Sequence, residues 1–121
     1  MKKTSSADPR QGEIRWADME PIRGQELNKT RPVLVLSGDS YRALALRLVA
    51  PITGLTPAKS GKTWLVPLHS SAETGLAKES VADVLQVRAL SLGRFDKQLG
   101  RASAADLEEV VAGLMIVVEP E

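Results

Sequence analysis

Thr30-Arg31-Pro32-Val33-Leu34-Val35-Leu36 is the stretch that decides how this chain folds. Proline fixes its own φ, offers no backbone donor and biases the residue before it toward an extended conformation, so Arg31-Pro32 suits the first residues of a strand. The run Val33-Leu34-Val35-Leu36 has no polar face. It belongs either to a strand buried on both sides or to the centre of a small closed barrel. A permanently charged guanidinium therefore stands at the mouth of the core. Taken alone, Arg31 reads as a side chain that snorkels or pairs with a carboxylate at a strand end.

Composition narrows the classes. At 121 residues and 43% apolar content, the chain can form one domain whose core needs neither disulfides nor a structural metal. The absence of cysteine removes a disulfide framework, a Cys-based zinc site and a thiol nucleophile. The single histidine, His69, rules out a mechanism built on a histidine pair and reads as a surface loop residue. No apolar run approaches the ~18 residues of a membrane span. Residues 1–11 are basic and lack the apolar segment of a secretory signal. They read as the mobile tail of a cytoplasmic protein, ahead of a single domain over 12–121. Net charge is +1, but five of the fifteen acids and none of the sixteen bases lie in residues 103–121. The rest of the chain thus carries a surplus of six positive charges, compatible with an anionic partner.

Around the Arg31 strand the chain reads as short strands closed off by one helix. Residues 12–19 alternate, with Ile14, Trp16 and Asp18 on one side, and end at Glu20-Pro21. Residues 20–30, rich in turn formers and charge, form a loop delivering the chain to Arg31. After the turn signal Ser37-Gly38-Asp39-Ser40 comes an Ala/Leu/Val strand over 43–52, broken by Arg47 and stopped by Pro51-Ile52-Thr53-Gly54. A polar loop with Lys59 and Lys62 follows. Trp64-Leu65-Val66-Pro67-Leu68 is a short strand whose proline places it at an edge or a bulge. Residues 74–79 are a connection, and 80–90 one long strand or two short ones. A Ser103-x-x-Asp106 capping box then opens a helix with Leu107, Val110, Val111, Leu114 and Val118 on one face. Strands followed by one C-terminal helix predict a mainly β fold, a small, strongly bent antiparallel barrel whose open side the helix packs against.

An ordered set of motifs resembles the MazF/PemK/Kid toxins of bacterial type II toxin–antitoxin pairs. It comprises Gly12-Glu13-Ile14 with Trp16, Gly24-x-Glu26 leading to Thr30-Arg31-Pro32-Val33-Leu34-Val35, Ala50-Pro51-Ile52-Thr53, Ser80-Val81 with Gln86-x-Arg88, and Gly100 before the helix. The resemblance covers nearly the whole chain. It implies an SH3-like barrel of the MazF/CcdB type, a homodimer, and a sequence-specific endoribonuclease that cuts single-stranded RNA without metal or cofactor. A MazE-like antitoxin partner is implied as well. So is an essential role for the Arg of the Arg-Pro strand and the Thr of the Pro-x-Thr strand, matching Arg31 and Thr53.

The chemistry can be weighed beside that resemblance. Cutting RNA without a metal uses the adjacent 2′-hydroxyl as nucleophile and leaves a 2′,3′-cyclic phosphate and a free 5′-hydroxyl. The protein must stabilise an extra negative charge, orient the phosphate and manage two protons. Arg31 can take the charge through a bidentate fork that lysine cannot reproduce. Thr53 can donate to a phosphoryl oxygen or steer the 2′-hydroxyl; read apart from the resemblance, it simply ends a strand.

Some members of the family carry an acid directly before the Gln that matches Gln86. Here that position is Leu85 and the nearest acid is Asp83, which on a strand would share Leu85's face and lie opposite to Gln86. Asp83 and the loop acid Glu26 are the candidates for the base, whose identity stays open. Lys29, Lys59, Lys62, Arg88 and Arg94 are expected on phosphates, and Gln86 on a base edge. Stacking needs exposed aromatics. Trp16 reads as core, which leaves Tyr41, Trp64 and Phe95. Two other readings stay open: a gyrase-poisoning toxin on the same barrel, and a non-catalytic SH3-like binding module or inactive member, for which Leu85 speaks.

Overall fold

Val33, Leu34 and Val35 are completely buried and Leu36 nearly so. In the computed structural model, which describes residues 8–19 and 30–121, alternation along the strand divides them between two cores. Leu34 and Leu36 join Ile14, Ala50, Ile52, Val66 and Leu68, whereas Val33 and Val35 join Ala17, Val49, Leu90 and Phe95. An unbroken apolar run is what a strand covered on both faces requires.

Among the described residues seven strands precede one helix: β1 (Glu13–Asp18), β2 (Thr30–Val35), β3 (Leu46–Gly54), β4 (Leu65–Leu68), β5 (Ser80–Asp83), β6 (Arg88–Ser91), β7 (Phe95–Arg101) and α1 (Ala104–Val118). Every pairing is antiparallel, in the order β4-β5-β3-β2-β1-β7, with β6 also on β3. The sheet does not close into the expected barrel: β4 and β7, the two ends of the path, do not pair with each other among the described residues. Pro67 accordingly sits on an end strand, where its missing donor is harmless.

Helix α1 packs on the first core through buried Val110 and half-buried Leu107, Leu114 and Val117. Ser103 Oγ accepts from the Asp106 N–H at 3.0 Å, the N-terminal cap the sequence predicts. Val118 is not on the core face as expected. At 3.6 residues per turn the row from Val110 through Leu114 continues at Val117, which leaves Val118 exposed.

β3 starts later than expected and runs on through Pro51 to Gly54. Arg47 does not break it, since the buried guanidinium donates to the carbonyls of Pro9, Leu44 and Leu46 and to Asp8 Oδ1. Pro51 is tolerated because β3 changes partners around it: β6 covers Leu46 to Val49 and β5 covers Ile52 to Gly54. Residues 80–90 are two strands separated by a tight 3-10 turn, Val84–Gln86. β7 was not legible. Its Asp96-Lys97-Gln98 segment is exposed and its register against β1 shifts twice, the marks of an edge strand protected by charge and irregularity. Within the stretch read as a tail, residues 8–11 are fastened. Gln11 donates to Asp39 Oδ1 and the Leu36 carbonyl, and Asp8 pairs with Arg42 and Arg47.

Candidate active site

Val33 of β2 pairs with Pro51 of β3, and two further steps along that register bring Arg31 across from Thr53. Alternation puts both on the face of Val33 and Val49, and both side chains are exposed. They stand where two clefts meet, one of about 350 Å³ and one of about 330 Å³, each lined by Arg31, Ile52 and Thr53. The charge at the mouth of the core therefore shares both clefts with a hydroxyl and forms no ion pair with a carboxylate among the described residues.

The first cleft adds Lys59, Trp64, Asp83 and Gln86. Lys59 Nζ donates to Thr53 Oγ1 at 3.1 Å and to the Gly54 carbonyl at 3.4 Å. Asp83 and Gln86 do not lie on opposite sides as strand geometry predicts. The strand ends at Asp83, and a 3-10 turn repeats every three residues, so positions 83 and 86 fall on one side. Gln86 Nε2 donates to Asp83 Oδ2 at 2.8 Å, and the Leu85 N–H donates to Asp83 Oδ1 at 3.1 Å. Leu85 lies outside the cleft lining and is 58% exposed.

The second cleft is lined by Trp16, Pro32, Gly54, Gly75, Leu76, Ala77, Lys78 and Leu99 as well. Trp16 is half-buried and part of this wall rather than of the core. In the sequence Lys78 sits in an ordinary connection and carries no motif. The signal that finds it is the pairing of Gly54 with Ser80, which brings the residue just before β5 over the end of β3. Lys78 lies so close over Gly54 that a Cβ there would collide with its side chain. The loop carrying it is seated by two glycines: a Cβ on Gly75, whose φ is +71°, would strike the Leu99 carbonyl, and one on Gly100 would strike the backbone at Glu73 and Thr74. Three cations, Arg31, Lys59 and Lys78, thus surround Thr53 and Gly54. The side chains of Arg31 and Lys78 form no hydrogen bond or ion pair with any described residue.

The remaining candidates fall elsewhere. Lys62 is exposed on the same loop as Lys59 but outside the cleft lining. Arg88 donates to the Met19 carbonyl at 2.7 Å and Arg94 to that of Asp18 at 3.3 Å, so both hold the end of β1. Glu26 and Lys29 lie outside the described residues. His69 is an exposed loop residue, as expected, and its Nδ1 lies 3.1 Å from both carboxylate oxygens of largely buried Asp106. Asp106 also accepts the His69 N–H. The side-chain hydrogen bond from the imidazole to the Asp106 carboxylate, and then the charge of Asp106, raise the imidazole pKa above its ordinary value.

The model of the PemK-like, MazF-like toxins of type II toxin–antitoxin systems matches residues 10–118. Endoribonuclease MazF9 of Mycobacterium tuberculosis is 34% identical over 110 residues, 88% of this chain and 93% of that protein. Endoribonuclease MazF6 of the same species is 34% identical over 111 residues, 88% of this chain and 94% of its own length. Among solved structures, MazF from Deinococcus radiodurans aligns with a TM-score of 0.73 at 27% identity, covering 93% of this chain and 98% of its own. The MazE–MazF complex from that organism aligns at 0.71 and 26% identity, covering 94% and 98%.

Proposed function

Because the chain belongs to the PemK-like, MazF-like toxins of type II toxin–antitoxin systems, we propose that it is an endoribonuclease that cuts single-stranded RNA at specific sequences without a metal. The observation that carries this reading is Arg31 standing across from Thr53 with Lys59 and Lys78 beside them. In the proposed reaction the 2′-hydroxyl attacks the adjacent phosphorus and the 5′-oxygen leaves, giving a cyclic phosphate. Arg31 holds the non-bridging oxygens as their charge grows, its fork having no partner among the described residues beforehand. Thr53 accepts from Lys59, so its own proton is free to bond the phosphate. Both oxygens of Asp83 already accept hydrogen bonds, which suits an orienting group. Glu26, five residues before Arg31 in the sequence, is assigned the proton of the 2′-hydroxyl, and the departing 5′-oxygen takes a proton from water to become the free 5′-hydroxyl.

The proposal extends to partners. The chain works in the cytoplasm as a homodimer, for which exposed Met115, Ile116 and Val118 on α1 offer an apolar face. A MazE-like antitoxin lays an acidic segment over the cationic clefts, its carboxylates competing with phosphate for the same guanidinium. Incubating the protein with mixed RNA in EDTA tests the activity: cut strands ending in 2′,3′-cyclic phosphate support it. Inhibition of DNA supercoiling without RNA cleavage would instead place the chain with gyrase poisons.

A further inference from the structure

We propose that the Asp83–Gln86 pair selects an adenine base beside the phosphate held by Arg31 and Thr53. The inference rests on the ribonuclease reading and names the base that site takes. Gln86 must turn Nε2, not its carbonyl oxygen, toward Asp83, because two acceptors would repel across the 2.8 Å separation. Asp83 is fixed in turn by the Leu85 N–H, as the cap of the 3-10 turn. One N–H of Gln86 is thereby occupied. Its other N–H and its Oε1 have no partner among the described residues and remain for a ligand, on an exposed side chain that lines the cleft with Trp64.

The site thus presents acceptor, donor, acceptor: Gln86 Oε1, the second Gln86 N–H, and a free lone pair of Asp83. Uracil, with acceptor, donor, acceptor on its pairing edge, is mismatched at every place. Cytosine sets O2 against the Asp83 carboxylate, and guanine sets its N1–H against the Gln86 N–H. Adenine gives N6–H to Oε1, accepts at N1 and turns C2–H to Asp83, a two-point amide contact on the pairing edge that an unstacked single-stranded base exposes. Trp64, 36% exposed, supplies a face for stacking. Arg31, Thr53 and Lys59 line the same cleft and take the adjoining phosphate, so one nucleotide meets both groups.

The test is binding of non-cleavable 2′-O-methyl oligonucleotides and cleavage of the matching RNAs. The base at each position is varied in turn among the four natural bases, purine (no N6 amine) and 2,6-diaminopurine. The expected result is one position where adenine is preferred over uracil by about 10- to 100-fold. There purine loses the preference, and 2,6-diaminopurine, offering a further N–H to Asp83, binds more tightly than adenine. In Asp83→Asn the advantage of 2,6-diaminopurine over adenine disappears while the pH profile of cleavage is unchanged. Equal binding of adenine and purine at every position, or no RNA binding, overturns the inference. A pH profile that flattens in Asp83→Asn also overturns it, since it makes Asp83 the base. Wild-type protein that binds with the adenine preference but cuts nothing supports the base pocket and contradicts the ribonuclease reading.

Discussion

Lys59 donates its ammonium to the hydroxyl of Thr53 at 3.1 Å. A threonine hydroxyl has one proton to give, and with an acceptor lone pair filled by Lys59 that proton points elsewhere. Thr53→Val should therefore fold normally and lose cleavage on the order of 10²-fold in kcat, as when one donor to a developing oxyanion is removed. Thr53→Ser should retain most of it. Equal loss in the two variants would make Thr53 a packing residue.

Lys78 lies over Gly54 at the edge of the same site. If it contacts an RNA phosphate, Lys78→Gln should weaken RNA binding and reduce the slope of log K against log salt by about 0.7, the value for one single-strand phosphate contact. Gly54→Ala, which forces Lys78 aside, should mimic it. An unchanged salt slope in Lys78→Gln removes Lys78 from the interface.

The His69–Asp106 pair ties the loop after β4 to the first turn of α1. The folded state raises the His69 pKa above the ordinary 6.5. Its contribution to stability is therefore fully present below that value and is lost as pH rises through the folded pKa. Denaturant unfolding across this range should show the wild type losing its advantage over His69→Gln as pH increases. An advantage that grows with pH contradicts the pairing.

Met115, Ile116 and Val118 are each more than 60% exposed on α1. If the proposed homodimer pairs through this face, Ile116→Glu combined with Met115→Glu should shift sedimentation from dimer to monomer, while the monomer keeps its fold because neither side chain belongs to the core. A variant that stays dimeric places the interface elsewhere.

The strand from Thr30 was readable because an apolar run without a polar face has one solution, burial on both sides, and the helix because its cap and 3.6-residue period agree. β7 was hidden by Asp96-Lys97-Gln98, whose polarity follows from its place at the edge of the sheet, a tertiary fact. In the candidate site, the motifs single out Arg31 and Thr53, which line the same two clefts. The Asp83–Gln86 contact was not legible, because it depends on a strand changing to a 3-10 turn within one residue, and apolar Val84-Leu85 resembles a continuing strand. Lys78 was illegible for a different reason: only the pairing of β3 with β5 brings it to Gly54.

The most direct measurement is the rate and end chemistry of RNA cleavage in EDTA by wild type and by Arg31→Lys, with unfolding curves taken in parallel. Lysine keeps the charge and removes the planar fork. Wild type should give 2′,3′-cyclic phosphate ends, and Arg31→Lys a rate on the order of 10²-fold lower with superimposable unfolding. Equal rates for the two proteins, or cleavage that EDTA abolishes and Mg²⁺ restores, would contradict the proposed reaction.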